Sequence, residues 1–306
     1  MPGFRLFRTT DGVVAERGGD YWYVDAPWDD LVNDDALHAV LERHVSRADP
    51  ADAAAAAAAA PLAPIGRQEV WASGVTYFRS RVARMEESRD SGGGDFYDRV
   101  YDADRPELFF KATPARVVGP GAAMHLRSDS RWVVPEPELT LAVTSGGTIV
   151  GYTVGNDLSC RDIEGENPLY LPQAKTFDRC AALGPCLLVA TTALGVNALG
   201  VNALGANALG ANALGANAPG PDTRIRVAIR RGGRAVFADS TTLGAMKRRP
   251  ADLVEWLFRD NSHPAGCLLM TGTGIVPPDD IRLEDGDVVD IEIDGIGILS
   301  NPVTRG

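Results

Sequence analysis

The chain has little positive charge for its size, and this argues against one class of partner. It contains 30 Lys and Arg residues against 41 Asp and Glu residues, for a formal net charge of −11 over 306 residues. An extended nucleic-acid interface requires a basic face. We therefore expect no nucleic-acid partner.

Cysteine is also scarce, and its spacing argues against a common structural metal site. No Cys-x-x-Cys pair is present, so a zinc knuckle is not expected. The simplest interpretation is that the cysteines are buried thiols. They are Cys160, Cys180, Cys186 and Cys267.

Long apolar segments are missing as well. The sequence has no run of about 20 apolar residues, the length that crosses a bilayer. The first residues, MPGFRLFRTTDGVV, lack the apolar core of a signal peptide. We therefore expect a cytoplasmic protein with no membrane partner.

The patterns that are present divide the chain into two units. Apolar–polar alternation around Gly-rich turn signals predicts hairpins at the start, followed by a helix and an Ala-rich stretch that ends at Pro61. We predict a small N-terminal domain with an Ala-rich linker over residues 1–66 and a larger domain over 67–306. A five-residue repeat of the type ALGAN predicts a low-complexity loop insertion at about 191–222, because lengthening a loop costs little free energy. The larger domain is rich in strand patterns, so the predicted class is α+β, mainly β.

Two acidic residues open an apolar strand pattern. Glu136 and Glu138 lie two residues apart, so on an extended strand they share one face and their carboxylates can converge. Pro137 between them cannot donate a ladder hydrogen bond, which predicts an edge strand or a bulge. A divalent cation with oxygen ligands would remove the cost of two adjacent charges. Solvation of both side chains on an outward face is an equally good interpretation of this segment alone.

A third acid and a lysine extend the candidate site. Asp157 follows the next strand pattern at a Gly-Asn-Asp break, where it can supply a third oxygen ligand. Lys175 follows an apparently extended stretch and becomes a candidate base if a nearby cation lowers its pKa. A lone surface lysine is the alternative. Three more acids follow Asp157 in a polar segment that is solvated or capping in the simplest interpretation: Asp162, Glu164 and Glu166.

Several motifs, in order from about Glu69 to Val303, resemble those of the fumarylacetoacetate hydrolase superfamily. They cover most of the chain apart from the repeat, which makes the match specific. The motifs are Glu136-Pro137-Glu138, Asn156-Asp157-Leu158-Ser159-Cys160-Arg161-Asp162, Leu268-Leu269-Met270-Thr271-Gly272-Thr273-Gly274, Gly286-Asp287 and the closing segment from Ile293 to Val303.

The resemblance implies a mixed β-roll catalytic fold and a single Mg²⁺ or Mn²⁺ ion. By position, the metal ligands would be Glu136, Glu138 and Asp157. In such proteins the metal binds a 2-oxo acid and stabilises the enolate formed when a proton leaves C3. Lys175 matches the family lysine near the substrate, and Thr273 matches the residue that holds the substrate carboxylate. Relatives form homodimers or homotetramers, which we expect here too.

One departure from the family pattern narrows the reaction. The hydrolases carry a water-activating His where this chain has Ser80, and the acid that partners that His is replaced by Arg105. The neighbouring motif persists from Pro106 to Lys111. The water-activating dyad is therefore absent by sequence, which disfavours hydrolysis of a C–C bond.

The segments around Trp71, Arg105 and Arg161 resemble one subgroup, the 2-keto-3-deoxy-pentonate dehydratases. The resemblance implies conversion of a 2-oxo sugar acid to 2,5-dioxopentanoate by enolisation and β-elimination of water. We expect Lys175 to be the base and Glu107 the acid, although a surface role for Glu107 is equally compatible with the sequence. The polar, Gly-rich residues 87–106 are predicted to form a lid, or else a disordered loop. Candidate substrate-binding residues, for which structural roles are at least as compatible, are Tyr77, Arg79 and Arg161.

Two other functions stay open at this stage. One is another 2-oxo-acid enzyme of the same fold: an acylpyruvate hydrolase, an oxaloacetate decarboxylase or a dienedioate isomerase. The other is a non-catalytic member of the fold, which the clustered acids and Lys175 disfavour because a scaffold has no use for buried charge.

Overall fold

The computed structural model describes residues 3–87, 94–195 and 218–306. Strands dominate these residues, which confirms the predicted α+β, mainly β class. The strands are β1 (Arg5–Thr9), β2 (Gly12–Arg17), β3 (Asp20–Val24), β4 (Glu69–Gly74), β5 (Glu107–Ala112), β6 (Val117–Val118), β7 (Met124–His125), β8 (Val133–Val134), β9 (Pro137–Val143), β10 (Thr148–Asp157), β11 (Ser159–Cys160), β12 (Ala181–Gly195), β13 (Arg224–Arg231), β14 (Arg234–Thr242), β15 (Cys267–Met270), β16 (Val288–Ile293) and β17 (Gly297–Thr304).

The helices are short and connect or flank the sheets. None of those in the described part of the chain has the length and apolar character needed to span a bilayer. They are α1 (Trp28–Val32), α2 (Leu37–Val45), α3 (Asp52–Ala58), α4 (Phe78–Glu87), α5 (Gly94–Asp102), α6 (Arg161–Glu166), α7 (Leu171–Lys175) and α8 (Pro250–Leu257).

Two mixed sheets organise the molecule. The larger sheet runs in the order β3-β2-β1-β12-β10-β9-β15-β4-β5, with β6 beside β12. The smaller runs β14-β13-β16-β17-β7, and β8 pairs separately with β11. Most pairs are antiparallel, but β15 with β4, β12 with β6 and β17 with β7 are parallel. The hairpins predicted from local alternation are all neighbours in these sheets.

The core lies around the central strands of the larger sheet. Every residue of β9 and of β10 is buried. A strand covered on both faces shows a continuous apolar run instead of strict alternation, and the sequences of both strands have this character. The polar residues at their ends are therefore carried into the interior with them.

The prediction that Pro137 marks an edge strand or a bulge is wrong. Strand β9 is central, since it pairs with β10 on one side and with β15 on the other. Pro137 is the first residue of β9 and pairs only with Asn156 of β10, beyond the reach of the β15 ladder. The first position of a strand tolerates a residue without an N–H group.

The N-terminal strands join the same sheet as the rest of the chain. Strand β1 pairs with β12 through Arg5 with Leu188 and Leu6 with Leu187. The division into domains at residue 66 stays a prediction. The pairing of β1 with β12 nevertheless joins the residues before and after this boundary in one sheet. It also gives the backbone groups of β1 hydrogen-bonding partners.

Two other predicted segments differ from expectation where they are described. Strand β12 continues to Gly195, so residues 191–195 of the predicted insertion are strand, and its residues 196–217 lie outside the described residues. Within the predicted lid, residues 94–102 form α5, while 88–93 lie outside the described residues. The stretch before Lys175 is helical instead of extended, with a 3₁₀ turn at Pro168–Tyr170 followed by α7.

Candidate metal and active site

Three buried carboxylates meet where β9 begins and β10 ends. Glu136 immediately precedes β9, Glu138 lies within it, and Asp157 is the last residue of β10. The ladder sets Glu138 opposite Gly155, and the Asp157 amide donates to the Glu136 carbonyl at 3.0 Å. One carboxylate oxygen from each of the three lies within 4.8 Å of the others. The spacing that suggested convergence in the sequence therefore brings these residues together.

Basic side chains compensate Glu136 on both of its oxygens. Lys175 Nζ lies 2.5 Å from Oε2, while Arg84 and Arg161 approach Oε1 at 2.8 and 3.1 Å. Burial alone would raise the pKa of Glu136. The three cations outweigh it and hold that pKa well below its usual range.

The pKa of Glu138 is shifted in the opposite direction. Its Oε2 accepts a hydrogen bond from the Gly272 amide at 2.6 Å. Burial, followed by the charges of Asp157 and Glu136, raises the pKa of Glu138 well above its usual range. A cation among the three carboxylates would relieve this repulsion. An all-oxygen donor set of this kind fits a hard divalent ion such as Mg²⁺ or Mn²⁺.

Two buried lysines complete the charge cluster. Lys175, the last residue of α7, also lies 3.1 Å from Asp157 Oδ2. Lys111, on β5, lies 2.5 Å from Asp157 Oδ1 and is fully buried. Burial would lower the pKa of Lys175, but the charges of Asp157 and Glu136 raise it above its usual range. Lys175 therefore carries a proton as long as these acids are not otherwise neutralised.

Glu107 enters the same pocket from β5. Strand β4 lies beside it, with Gly74 opposite Glu107 in the ladder. The Glu107 carboxyl lies over this glycine so closely that a β-carbon at position 74 would come 2.0 Å from Oε2. Burial, then the charge of Glu164, raises the pKa of Glu107 to about 7. At neutral pH this carboxyl is therefore poised to give up or take a proton.

An ion pair from two helices forms another part of the pocket wall. Arg84 of α4 pairs with Glu164 of α6, and Ser159 Oγ donates to the same Glu164 oxygen at 2.7 Å. Because Arg84 also reaches Glu136, it connects the wall to the carboxylate cluster. The interpretation of Glu164 as solvated or capping is wrong, since only 3% of its surface is exposed.

Only some of the predicted substrate-binding residues lie in the pocket. Thr273 and Arg161 line the pocket with the acids. Tyr77 is buried nearby, where Glu138 contributes to a raised pKa, and its hydroxyl has no hydrogen-bond partner among the described residues. Arg79 lies elsewhere, with its half-exposed side chain 2.6 Å from Asp239 and 3.2 Å from the Val276 carbonyl. Its placement does not support a role in substrate binding.

Ser80 and Arg105, at the positions of the absent water-activating dyad, make other contacts. Ser80 lines the pocket, and its hydroxyl donates to the Tyr77 carbonyl at 2.8 Å. Arg105 stacks its guanidinium 4.4 Å from the Trp256 ring centre. No histidine is among the described residues that line the pocket. A water-activating imidazole is therefore not part of this described wall.

Arg84, Glu164 and Lys111 are the site residues that sequence reasoning did not assign. Lys111 is the last residue of the Pro106–Lys111 motif. The motif drew attention to this position but did not indicate its role. Ser80 and Arg84 are four residues apart, so they lie on one face of α4. That spacing could have identified the pair, but the position of α4 in the sequence does not reveal what this face contacts.

Comparisons with known proteins agree with this geometry. The model of the family described as fumarylacetoacetate (FAA) hydrolase C-terminal matches residues 75–304. A Haloferax volcanii protein named "Probable 2-keto-3-deoxyxylonate dehydratase" is 45% identical over 240 residues, which are 78% of this chain and 73% of that protein. The 2-dehydro-3-deoxy-D-arabinonate dehydratase of Saccharolobus solfataricus is 41% identical over 238 residues, 78% of this chain and 72% of its own.

Solved structures extend the comparison. A 2-keto-3-deoxy-D-arabinonate dehydratase in its apo form superposes with a TM-score of 0.76 at 32% identity, covering 99% of each chain. The structure of such a dehydratase complexed with magnesium and 2,5-dioxopentanoate superposes with a TM-score of 0.73 at the same identity and coverage. These matches confirm the resemblance that the motifs indicated.

Proposed function

Because the chain belongs to the fumarylacetoacetate hydrolase family, we propose that it is a metal-dependent hydro-lyase. It converts a 2-keto-3-deoxy-pentonate to 2,5-dioxopentanoate and water. The observation that carries this proposal is Glu107, an acid with a raised pKa in the same pocket as the carboxylates and Lys175. The relatives named as dehydratases of such sugar acids, and the neighbour bound to 2,5-dioxopentanoate, support it.

Glu136, Glu138 and Asp157 would hold the divalent ion, Mg²⁺ or Mn²⁺. When bound there, the ion supplies Lewis-acid polarisation of a 2-oxo acid, which acidifies C3, and its charge favours the neutral form of Lys175. The neighbour complexed with magnesium supports the choice of a hard divalent ion. Thr273 and Arg161 line the same pocket and would orient the substrate carboxylate and hydroxyls.

Lys175 is the proposed base. Its Nζ lies 2.5 Å from Glu136 and 3.1 Å from Asp157, beside two of the carboxylates that would hold the ion. The amine takes the C3 proton as electron density moves toward the C2 oxygen. The neighbouring acids then stabilise the ammonium that forms.

Glu107 is the proposed acid. As the C3–C4 double bond forms, the C4–O bond breaks, and the Glu107 proton converts the departing hydroxyl to water. The unsaturated product then loses one proton from C5 and one from the C5 hydroxyl and gains one proton each at C3 and C4, which leaves an aldehyde at C5. No attacking water is needed, so this reaction does not require a water-activating imidazole.

A product assay tests this function. The purified protein would be incubated with 2-keto-3-deoxy-pentonates of both C4 configurations, with Mg²⁺ and separately with EDTA, and NMR would follow 2,5-dioxopentanoate. We expect product from at least one epimer with Mg²⁺ and none with EDTA. Absence of product from both epimers, with Mg²⁺ binding verified by calorimetry, would refute the dehydratase assignment.

We further propose that the protein acts in the cytoplasm as a homodimer or homotetramer. The four cysteines are all buried free thiols, which suits a reducing compartment. Sedimentation at several protein concentrations tests the assembly, and a purely monomeric species throughout would contradict it.

A further inference from the structure

Two acids line the pocket in addition to the carboxylate triad. Glu107 reaches it from β5 and Glu164 from α6. Like charges in a water-poor cavity oppose each other, so one of the two is driven to take up a proton. Which one does so depends on the partners that each carboxyl has.

Glu164 has the partners that stabilise a charge. Arg84 forms an ion pair with Oε2, and the Ser159 hydroxyl donates to the same oxygen at 2.7 Å. Charge-assisted hydrogen bonds of this kind favour the ionised form. Glu107, packed over Gly74, is then the carboxyl that takes the proton.

We propose that Glu164 keeps Glu107 in its acid form, and that it is therefore a positioning residue for the elimination. This inference rests on the proposed function, because the acid form is what the departing hydroxyl requires. Glu164 acts through Glu107, by its charge, and needs no contact with the reacting atoms.

The other charges around Glu107 agree with this assignment. After burial, Glu164 is the largest influence that raises the pKa of Glu107, and Glu136 adds to it; Arg84 from α4 and Lys175 from α7 act in the opposite direction. Three further charged residues line the same pocket: Glu138, Asp157 and Arg161. Arg84 pairs with Glu164 as well as with Glu136, so loss of Glu164 would leave more of the Arg84 charge acting on Glu107.

The substitution that tests this inference is Glu164→Gln, and α6 offers a matched control. Glu166 lies on the same helix but is exposed, so Glu166→Gln removes the same charge without changing the pocket. The direct measurement is a ¹³C NMR titration of glutamate side chains in the metal-free protein, in which Glu107→Gln identifies the Glu107 resonance.

We expect the Glu107 midpoint to fall by about one pH unit or more in Glu164→Gln, a tenfold stronger acid, and to stay at the wild-type value in Glu166→Gln. Ser159→Ala is a milder second variant. It weakens the support of the Glu164 charge and should shift the midpoint in the same direction by less. In the metal-loaded enzyme, the decline of kcat/KM at high pH should move to lower pH in Glu164→Gln.

A wild-type Glu107 midpoint in Glu164→Gln overturns the inference, as does a wild-type midpoint in Ser159→Ala if Glu164→Gln does not fold. The titration needs no substrate, so it separates the two proposals. A shifted midpoint in a protein that makes no 2,5-dioxopentanoate supports the role of Glu164 and refutes the dehydratase. Product formation with an unshifted Glu107 midpoint supports the dehydratase and refutes the role of Glu164.

Discussion

Lys111 forms an ion pair with Asp157 from a position with no exposed surface. Its Nζ lies 2.5 Å from Asp157 Oδ1, 2.9 Å from the Leu158 carbonyl and 2.5 Å from the Lys175 carbonyl. The ammonium donates hydrogen bonds to the two carbonyls and compensates the charge of Asp157. Lys111 thus joins the end of β10 to the last residue of α7, the residue that we propose as the base.

Replacing Lys111 should therefore destabilise the fold strongly. We expect Lys111→Met to lower the free energy of unfolding by about 3–5 kcal/mol, because it removes one of the cations that compensate the buried Asp157 carboxylate and leaves two buried carbonyls without their donor. Denaturant unfolding measures this loss. Lys247→Met is the control, since Lys247 is exposed in its pair with Asp102 and should cost about 1 kcal/mol or less. Equal effects of the two changes would contradict the structure.

Gly74→Ala should impair turnover while the fold stays intact. The new β-carbon would lie 2.0 Å from the present position of Glu107 Oε2, so the flexible carboxyl must move away. We expect kcat to fall about 10²-fold, the lower bound for losing a placed general acid. Gly220→Ala is the control because nothing lies within 4 Å of a β-carbon there. Steady-state kinetics that distinguish neither variant from wild type would remove the proposed role of Glu107.

The pH dependence of the reaction should report Glu107. A general acid works in its protonated form, and the pKa of Glu107 is about 7. The kcat/KM value should therefore fall with increasing pH above about pH 7. Glu107→Gln should be slower by about 10²- to 10⁴-fold and should lose this decline. Glu255→Gln, on the exposed side of α8, should keep both rate and profile. A wild-type rate for Glu107→Gln would rule out the acid role.

Glu138→Gln should have opposite effects on the metal-free and metal-loaded protein. Burial and two neighbouring carboxylates raise the pKa of Glu138, so its charged form is unfavourable without a cation. The neutral amide should therefore raise the Tm of the EDTA-treated protein, and it should abolish most of the Tm increase that Mg²⁺ gives to the wild type. Thermal unfolding with and without Mg²⁺ checks both effects. A wild-type response to Mg²⁺ would exclude Glu138 as a ligand.

The three carboxylates could be predicted from the sequence because their arrangement follows from local geometry. Residues two apart on a strand share a face, so the convergence of Glu136 and Glu138 needs only the assignment of a strand. Asp157 belongs to the next strand of the same hairpin, and its place follows from the short connection. No long-range information enters this part of the site.

The two arginines of α4 show what local sequence does not determine. Arg79 and Arg84 lie on one helix, α4, and the sequence marked the first as the candidate. The structure places Arg84 in the pocket and Arg79 on Asp239. Which face of a helix meets the site depends on how the helix packs, and the partners of Arg84 lie 52 and 80 residues away in the chain.

The sequence by itself therefore determined the strand and turn pattern, the mainly β class and the carboxylate spacing, because each depends on neighbours a few residues apart. Only the tertiary structure decided that β1 pairs with β12, that β9 is central despite Pro137, and that Glu164 is buried beside Glu107. These relationships join distant segments. They form when the whole chain buries its apolar strands and must find partners for every polar group enclosed with them.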